Sequence, residues 1–326
     1  MSSGLQKGSS QIWYYIRNFA DYLLVPRFLY RLRLRHWLNA IPRNEEVERR
    51  INYYCRLNQP QSLEGGITGE ELKYPFHKKT KRLTKYFFDL YEVIRYFNPQ
   101  LRFCYLFGDI TTVPPQPTFV KSRPISGDNA NSVVLKLNKR RHFRFVDDSL
   151  SFAEKKNMIV MRVTWANMSP QRSLLINQYL NHPMCDVGKT RQEADDTQTD
   201  CVKPFMSIKE QLTYKFIACI EGGDVATSLK WVMSSNSLAV SPPLRYETWF
   251  MEGTLIPNYH YVEVKSDFSD LIEKMQYYID HPEEAEAIIA HAHEYLRQFR
   301  NKHHERALQV MVAEKYFKMT CQDPTP

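Results

Sequence analysis

The stretch at positions 221–240, "EGGDVATSLKWVMSSNSLAV", decides how this chain is read. Two glycines and an aspartate stand ahead of a short amphipathic run, which stops on Ser-Ser-Asn-Ser and resumes as an apolar segment. The "FIACI" before it reads as a strand, so strand, glycine turn, helix and strand follow one another closely. That order makes a crossover between parallel strands. The helix is expected to begin near Val225. Two uses of the turn fit the spacing. Unpaired N–H groups at a helix start carry partial positive charge, and Gly222 and Gly223 let a ligand come close to the backbone. With Val225 and Ala226 between them, Asp224, Thr227, Ser228 and Lys230 then complete a cradle suited to a diphosphate. The plainer reading is that Asp224 only caps the helix. Spacing alone leaves both open.

Outward from this stretch the pattern repeats. A composition change at 147–156 reads as a linker, and "NMIVMRVTW" (157–165) begins a second unit as a strand. The text then runs "ANMSPQR" (166–172), with Ser169 a natural cap and Pro170 at a favoured first helical position. Arg162 and Arg172 either face an anion at this strand end, where the guanidinium fork suits phosphate, or are two surface arginines. In the first half, "TKYFFDLYEVIRYF" (84–97) repeats apolar residues at helical spacing. The strand "LRFCYLF" (101–107) ends in Gly108-Asp109, and "TFVKSRP" (118–124) and "SVVLKL" (132–137) read as further strands. Asp109 stands just past a strand's C-terminal end, where α/β proteins gather ligand chemistry and a carboxylate can serve as a general base. Its alternative is a turn aspartate bonded to its own backbone. Lys121, Arg123 and Asn129 add cations and an amide nearby in sequence. Positions 189–200 read as a surface loop, and two helices, 269–280 and 282–300, close the chain. Strands alternating with helices imply an α/β fold with a doubly wound parallel sheet.

The bulk numbers bound the function. A chain of 326 residues suits two domains. The net charge of +8 favours anionic partners: nucleic acid, phosphosugars or an acidic membrane face. No helix-turn-helix, RNA-recognition or zinc-finger signature supports nucleic acid as the partner. The six cysteines form no C-x-x-C pair and imply a reducing compartment without disulfides. No signal-peptide pattern and no apolar run of about 18 residues is present, so a cytoplasmic location is expected. Residues 1–10 are Ser/Gly-rich and expected to lack structure. Residues 12–38 interleave aromatics with arginines, which suits either a membrane interface or a helix packed on its own domain. P-loop, dinucleotide, H-E-x-x-H and cysteine–histidine zinc motifs are absent, and no Asp-x-Asp triplet occurs.

Four stretches carry a resemblance. They are "FGDITTVPPQPTFVKSRPISGDNANSVVLKLNKRRHF" (107–143), "HPMCDVGKT" (182–190), "IEGGDVATSLKWVMSSNSLAV" (220–240) and "YETWFMEGTLIPNYHYVEV" (246–264). Together, over roughly 72–316, they resemble glycosyltransferase family 90, in its bacterial lipopolysaccharide-core branch of the LpsA type. The resemblance implies a GT-B arrangement: two Rossmann-like domains facing a cleft, with a C-terminal helical segment. After the flexible start and basic segment at 1–38, residues 39–150 would form the acceptor side and 151–326 the nucleotide-sugar side. It implies an inverting transfer of glucose or galactose from a UDP-sugar, with no cofactor and no metal. Asp109 matches the family's catalytic aspartate. Ser169 and Arg172 match its donor loop, with Arg162 at that loop's start, and the run from Val225 to Lys230 matches its helix-start motif. There the lysine stands where eukaryotic members have arginine. Lys121, Arg123 and Asn129 would lie on the acceptor side of the cleft. The implied acceptor is the lipopolysaccharide core or another lipid-linked glycan, reached by peripheral contact with the cytoplasmic face of the inner membrane. A capsule polymer or protein acceptor is the alternative within the family.

Overall fold

A computed structural model of the chain describes residues 2–74, 83–164, 169–192 and 200–324. The chain opens with α1 (Ser2–Leu24), α2 (Arg27–Arg31), α3 (Leu34–Leu38) and α4 (Glu45–Tyr54). The Ser/Gly-rich start, expected to lack structure, is the first part of α1. Once a helix has nucleated over an amphipathic segment, each added residue gains a backbone hydrogen bond, which here offsets the poor helix propensity of Ser and Gly. Pro26 separates α1 from α2, and Asn44 caps α4 by accepting from the Val47 N–H at 2.9 Å.

The first sheet has the order β1 (Ile67–Thr68), β2 (Arg102–Tyr105), β3 (Thr118–Val120), with α5 (Thr84–Ile94) between β1 and β2 in sequence. The segment read as one strand at 118–124 divides at Lys121. Its second part, β4 (Ser122–Pro124), leaves this sheet, while β5 (Ser132–Val134) joins the sheet beside β3. After the short α6 (Lys139–His142), the second half forms a five-stranded parallel sheet. Its strands are β6 (Lys156–Val163), β7 (Cys185–Lys189), β8 (Tyr214–Ala218), β9 (Leu238–Ser241) and β11 (Val262–Glu263). The helices α7 (Pro170–Tyr179), α8 (Ile208–Gln211) and α9 (Leu229–Val232) fall between them. The spatial order is β11-β9-β8-β6-β7, every pair parallel. In sequence terms this order reverses direction between β6 and β8, the place where open α/β sheets bind ligands beyond the strands' C-terminal ends.

Two connections tie the halves. Strand β10 (Tyr246–Thr248) pairs antiparallel with β4 of the first half, setting Glu247 opposite Arg123. After α10 (Leu271–Asp280) and α11 (Pro282–Arg297) comes a third closing helix, α12 (Lys302–Met319), where the sequence reading expected two. It packs on α3, α4 and α5 of the first half, with Tyr316 and Phe317 against Phe97, Phe103 and Phe119. Helix α12 is buried on nearly all sides and therefore lacks the one-sided apolar stripe by which helices are read. Glu305 at its start accepts from Arg50, Lys136 and the Trp249 indole at 2.6–2.7 Å, joining four separate segments. Burial works to raise this carboxyl, but Lys136 and Arg50 outweigh it and hold it below its ordinary range.

Candidate functional site

At the reversal point of the parallel sheet lies a cavity of about 450 Å³. Its floor comes from the C-terminal ends of β6 (Met161, Arg162, Val163) and β8 (Ala218, with Ile220 just beyond), and its wall from the turn at 222–228. Asp109 and Arg141 of the first half line the same cavity.

Asp109 is held where it is by local geometry. Gly108 has φ of 120°, a conformation that side-chain-bearing residues rarely adopt, and turns the chain out of the strand. The next residue is pinned to β4, because Ser122 Oγ accepts from the Ile110 N–H at 3.1 Å and donates to its carbonyl at 3.0 Å. The Asp109 side chain keeps 31% exposure. One oxygen, Oδ1, takes a short contact from Lys121 Nζ, which also contacts Asp224 Oδ2 at 2.6 Å. A single buried ammonium thus bridges a carboxylate of the first half and one of the second. Burial works to lower the Lys121 amine, but Asp224, Tyr86 and Asp109 outweigh it and set it above its ordinary value. Burial raises Asp224, Lys121 opposes this, and Asp109 adds to the rise. The remaining oxygen of Asp109 faces Gly223 so closely that a Cβ added there would lie 2.8 Å from it.

The turn differs from the sequence expectation. Its helix begins at Leu229, not near Val225, and spans four residues. Residues 222–228 fold instead as a compact turn, with Gly222 N–H donating to the Asp224 carbonyl at 3.0 Å. Asp224 does not cap the helix; the buried Lys121 takes its carboxylate. Arg172 reaches under the turn from α7, donating from Nε and Nη2 to the Ile220 carbonyl at 3.2 and 2.9 Å. A Cβ on Gly222 would come within 2.7 Å of its guanidinium. Burial lowers the Arg172 pKa.

The structure brings most of the sequence-selected residues to one place. Asp109, Arg162, Arg172, Gly223, Asp224, Val225, Thr227 and Ser228 all line the cavity. Arg162 does so with its guanidinium already engaged, bonded to Asp186 Oδ1 and to the Asp186 carbonyl, each at 2.7 Å. Ala226 is buried behind the turn. Ser169 sits at the start of α7 in extended conformation, buried, and its Oγ has no hydrogen-bond partner among the described residues. Lys230 is fully buried and does not line the cavity; its ammonium pairs with Glu252, 5.2 Å from the Phe250 ring centre. Arg123 is fully buried too, paired with Glu247 at 2.7 Å and with the Tyr53 and Ser132 carbonyls at 2.6 and 3.1 Å. Asn129 bonds the Pro124 carbonyl at 2.7 Å and accepts from Arg56 at 3.0 Å in the same cluster. Both support the β4–β10 junction, not the cavity. Residues 165–168 of the donor-loop stretch and 193–199 of the polar loop lie outside the described residues. Sequence reasoning passed over Arg141 and Trp231, although both lie in stretches that carry the family resemblance, and Thr164 and Gln211, which carried no signal of their own.

The family model for glycosyl transferase family 90 matches residues 137–324, more than half of the chain. This chain belongs to glycosyltransferase family 90. O-glucosyltransferase LpsA of Dichelobacter nodosus is 41% identical over 273 residues, which cover 84% of this chain and 83% of that protein. Protein O-glucosyltransferase 2 of Danio rerio is 33% identical over 85 residues, 26% of this chain and 17% of its own. The family 90 chain described here is therefore a glycosyltransferase with a mixed α/β fold built on parallel sheets. The family match holds Arg141, Arg162, Ser169, Arg172 and the turn at 222–230, whereas Asp109, Lys121, Arg123 and Asn129 precede it.

Proposed function

We propose that this enzyme transfers a hexose from a UDP-sugar to the lipopolysaccharide core, with inversion at the anomeric carbon and without a bound metal. The observation that carries the reading is the meeting of Asp109 with the turn at 222–228 across one cavity at the sheet's reversal point. In a GT-B arrangement the second half would hold the donor there and the first half would present the acceptor. Asp109 takes the proton of the acceptor hydroxyl as its oxygen attacks the anomeric carbon. The bond to UDP breaks on the opposite face, and the developing charge on the diphosphate meets Arg172, Arg141 and the Thr227 and Ser228 hydroxyls. Lys121 holds Asp109 in place and ties it to Asp224. Lys230 supports the turn from the interior. The name of the Dichelobacter relative speaks for glucose over galactose. The net charge of +8 suits a phosphate-bearing acceptor.

The test couples binding and turnover. UDP should bind in calorimetric titration with or without chelator, while GDP, CMP and ADP should not. Asp109→Asn should retain that affinity and lose transfer from UDP-glucose to purified core oligosaccharide, read by mass spectrometry. Retained turnover in Asp109→Asn, or UDP binding that vanishes with chelator, would remove the corresponding part of the reading.

A further inference from the structure

Helix α1 is apolar on two sides, and only one of them is covered. Its inner side packs through Tyr15, Phe19 and Tyr22 onto the first half; Phe19 and Tyr22 meet Phe88 and Phe87 edge-on at 4.9 and 5.4 Å. At 3.6 residues per turn, Ile12, Leu23, Ile16, Trp13 and Leu24 fall together on a different arc of about 120°. These five are 52–77% exposed. Phe28, Leu29 and Leu32, in and just after α2, are exposed as well. Among the described residues, eight of the 14 exposed large apolar side chains thus fall within 12–32, so the exposure is concentrated and not scattered.

The same segment is cationic. Residues 12–38 hold five arginines and a single acidic residue, Asp21. Arg31 and Arg35 line one shallow pocket with Phe28 and Leu32. Leu32 also lines a second pocket, where Arg17, Arg33, Arg95 and Arg306 converge. Arg95 and Arg306 are paired there with Asp21 and Glu92, and burial, then Arg17, lower Arg306 while Asp21 opposes them. An apolar arc edged by arginines fits the headgroup–acyl boundary of an anionic bilayer, where apolar side chains insert and guanidinium groups remain with the phosphates. No helix among the described residues is long and apolar enough to cross a membrane, so the contact is in-plane.

We infer that α1 and α2 form a docking face for anionic lipid bilayers. Flotation with phosphatidylcholine vesicles, with and without phosphatidylglycerol, tests it on the full chain. The protein should float only with the anionic vesicles and be released by high salt. Each arginine at the surface contributes about fivefold in partition, so Arg31→Gln/Arg35→Gln should lose roughly 25-fold. Trp13→Ser/Phe28→Ser/Leu32→Ser should lose at least about tenfold while leaving circular dichroism and turnover on a soluble acceptor unchanged. Absence of flotation, equal flotation with neutral vesicles, or wild-type flotation by both variants would overturn the inference. So would a dimer in light scattering that the triple variant converts to a monomer, since a second copy would then cover the face.

Discussion

A methyl group added at position 223 offers a sharp test of the site. Gly223 lies outside the left-handed region, in contrast to Gly108, so alanine brings no backbone strain there. The obstacle is Asp109. The new Cβ would stand 2.8 Å from its Oδ2 and 3.3 Å from its Cβ. Ordinary contact begins near 3.4 Å, so the carboxylate must retreat by about 0.6 Å and the whole side chain with it. It cannot simply swing away, because Lys121 holds its other oxygen. A misplacement of about 1 Å costs on the order of 100-fold in rate, so Gly223→Ala should lower kcat by about 10- to 100-fold. Donor affinity and the denaturation midpoint should change little. Gly222→Ala is the companion: its Cβ meets the Arg172 guanidinium at 2.7 Å, so it should weaken UDP binding more than kcat. Single-turnover kinetics with UDP-glucose, beside UDP titration and urea denaturation, separate these effects. Wild-type kcat in Gly223→Ala would refute the placement of Asp109 against the turn.

Three further outcomes follow from buried groups. Lys230→Met strands Glu252 without its cation and should cost about 3–5 kcal/mol of stability, read from urea denaturation. Lys230→Met/Glu252→Gln should recover part of that loss, because the amide oxygen still accepts from Thr248; an unchanged midpoint in the single variant would place Lys230 outside the core. His142 is buried with neither ring nitrogen partnered among the described residues, and burial, then Lys121, Lys230 and Arg141, hold its pKa well below the ordinary value. A depressed folded pKa means its stability contribution is present above about pH 6.5 and lost as pH falls, at about 1.4 kcal/mol per pH unit. His142→Leu should flatten the stability profile between pH 6.5 and 5.5, leaving the smaller slopes of His260 and His304, which are also depressed by burial. An unaltered slope would show that His142 is protonated in the folded protein. Arg123→Met should unfold the β4–β10 junction at lower urea by leaving buried Glu247 with only the half-buried Arg56 as cation beside the Tyr53 hydroxyl, and should change UDP affinity only through that loss.

The sequence by itself determined the elements whose signals are local. Short apolar runs located β2 and β6, apolar residues at helical spacing located α5, α10 and α11, and the glycine turn after β8 marked the crossover of a parallel sheet. Spacing and family motifs together selected eight residues that the fold does collect around one cavity. Tertiary structure decided what depends on partners distant in sequence. Lys230 and Arg123 look like free cations in the text, yet each is sunk beside a carboxylate, 22 and 124 positions away, that no spacing rule connects to it. Lys121 became the bridge between Asp109 and Asp224 only once the two halves closed on each other. Helix α12, buried nearly all round despite its charged residues, returns to the first half and could be read only from what surrounds it. Local pattern is written in neighbouring residues, but burial and ion pairing depend on which surfaces the whole chain brings together.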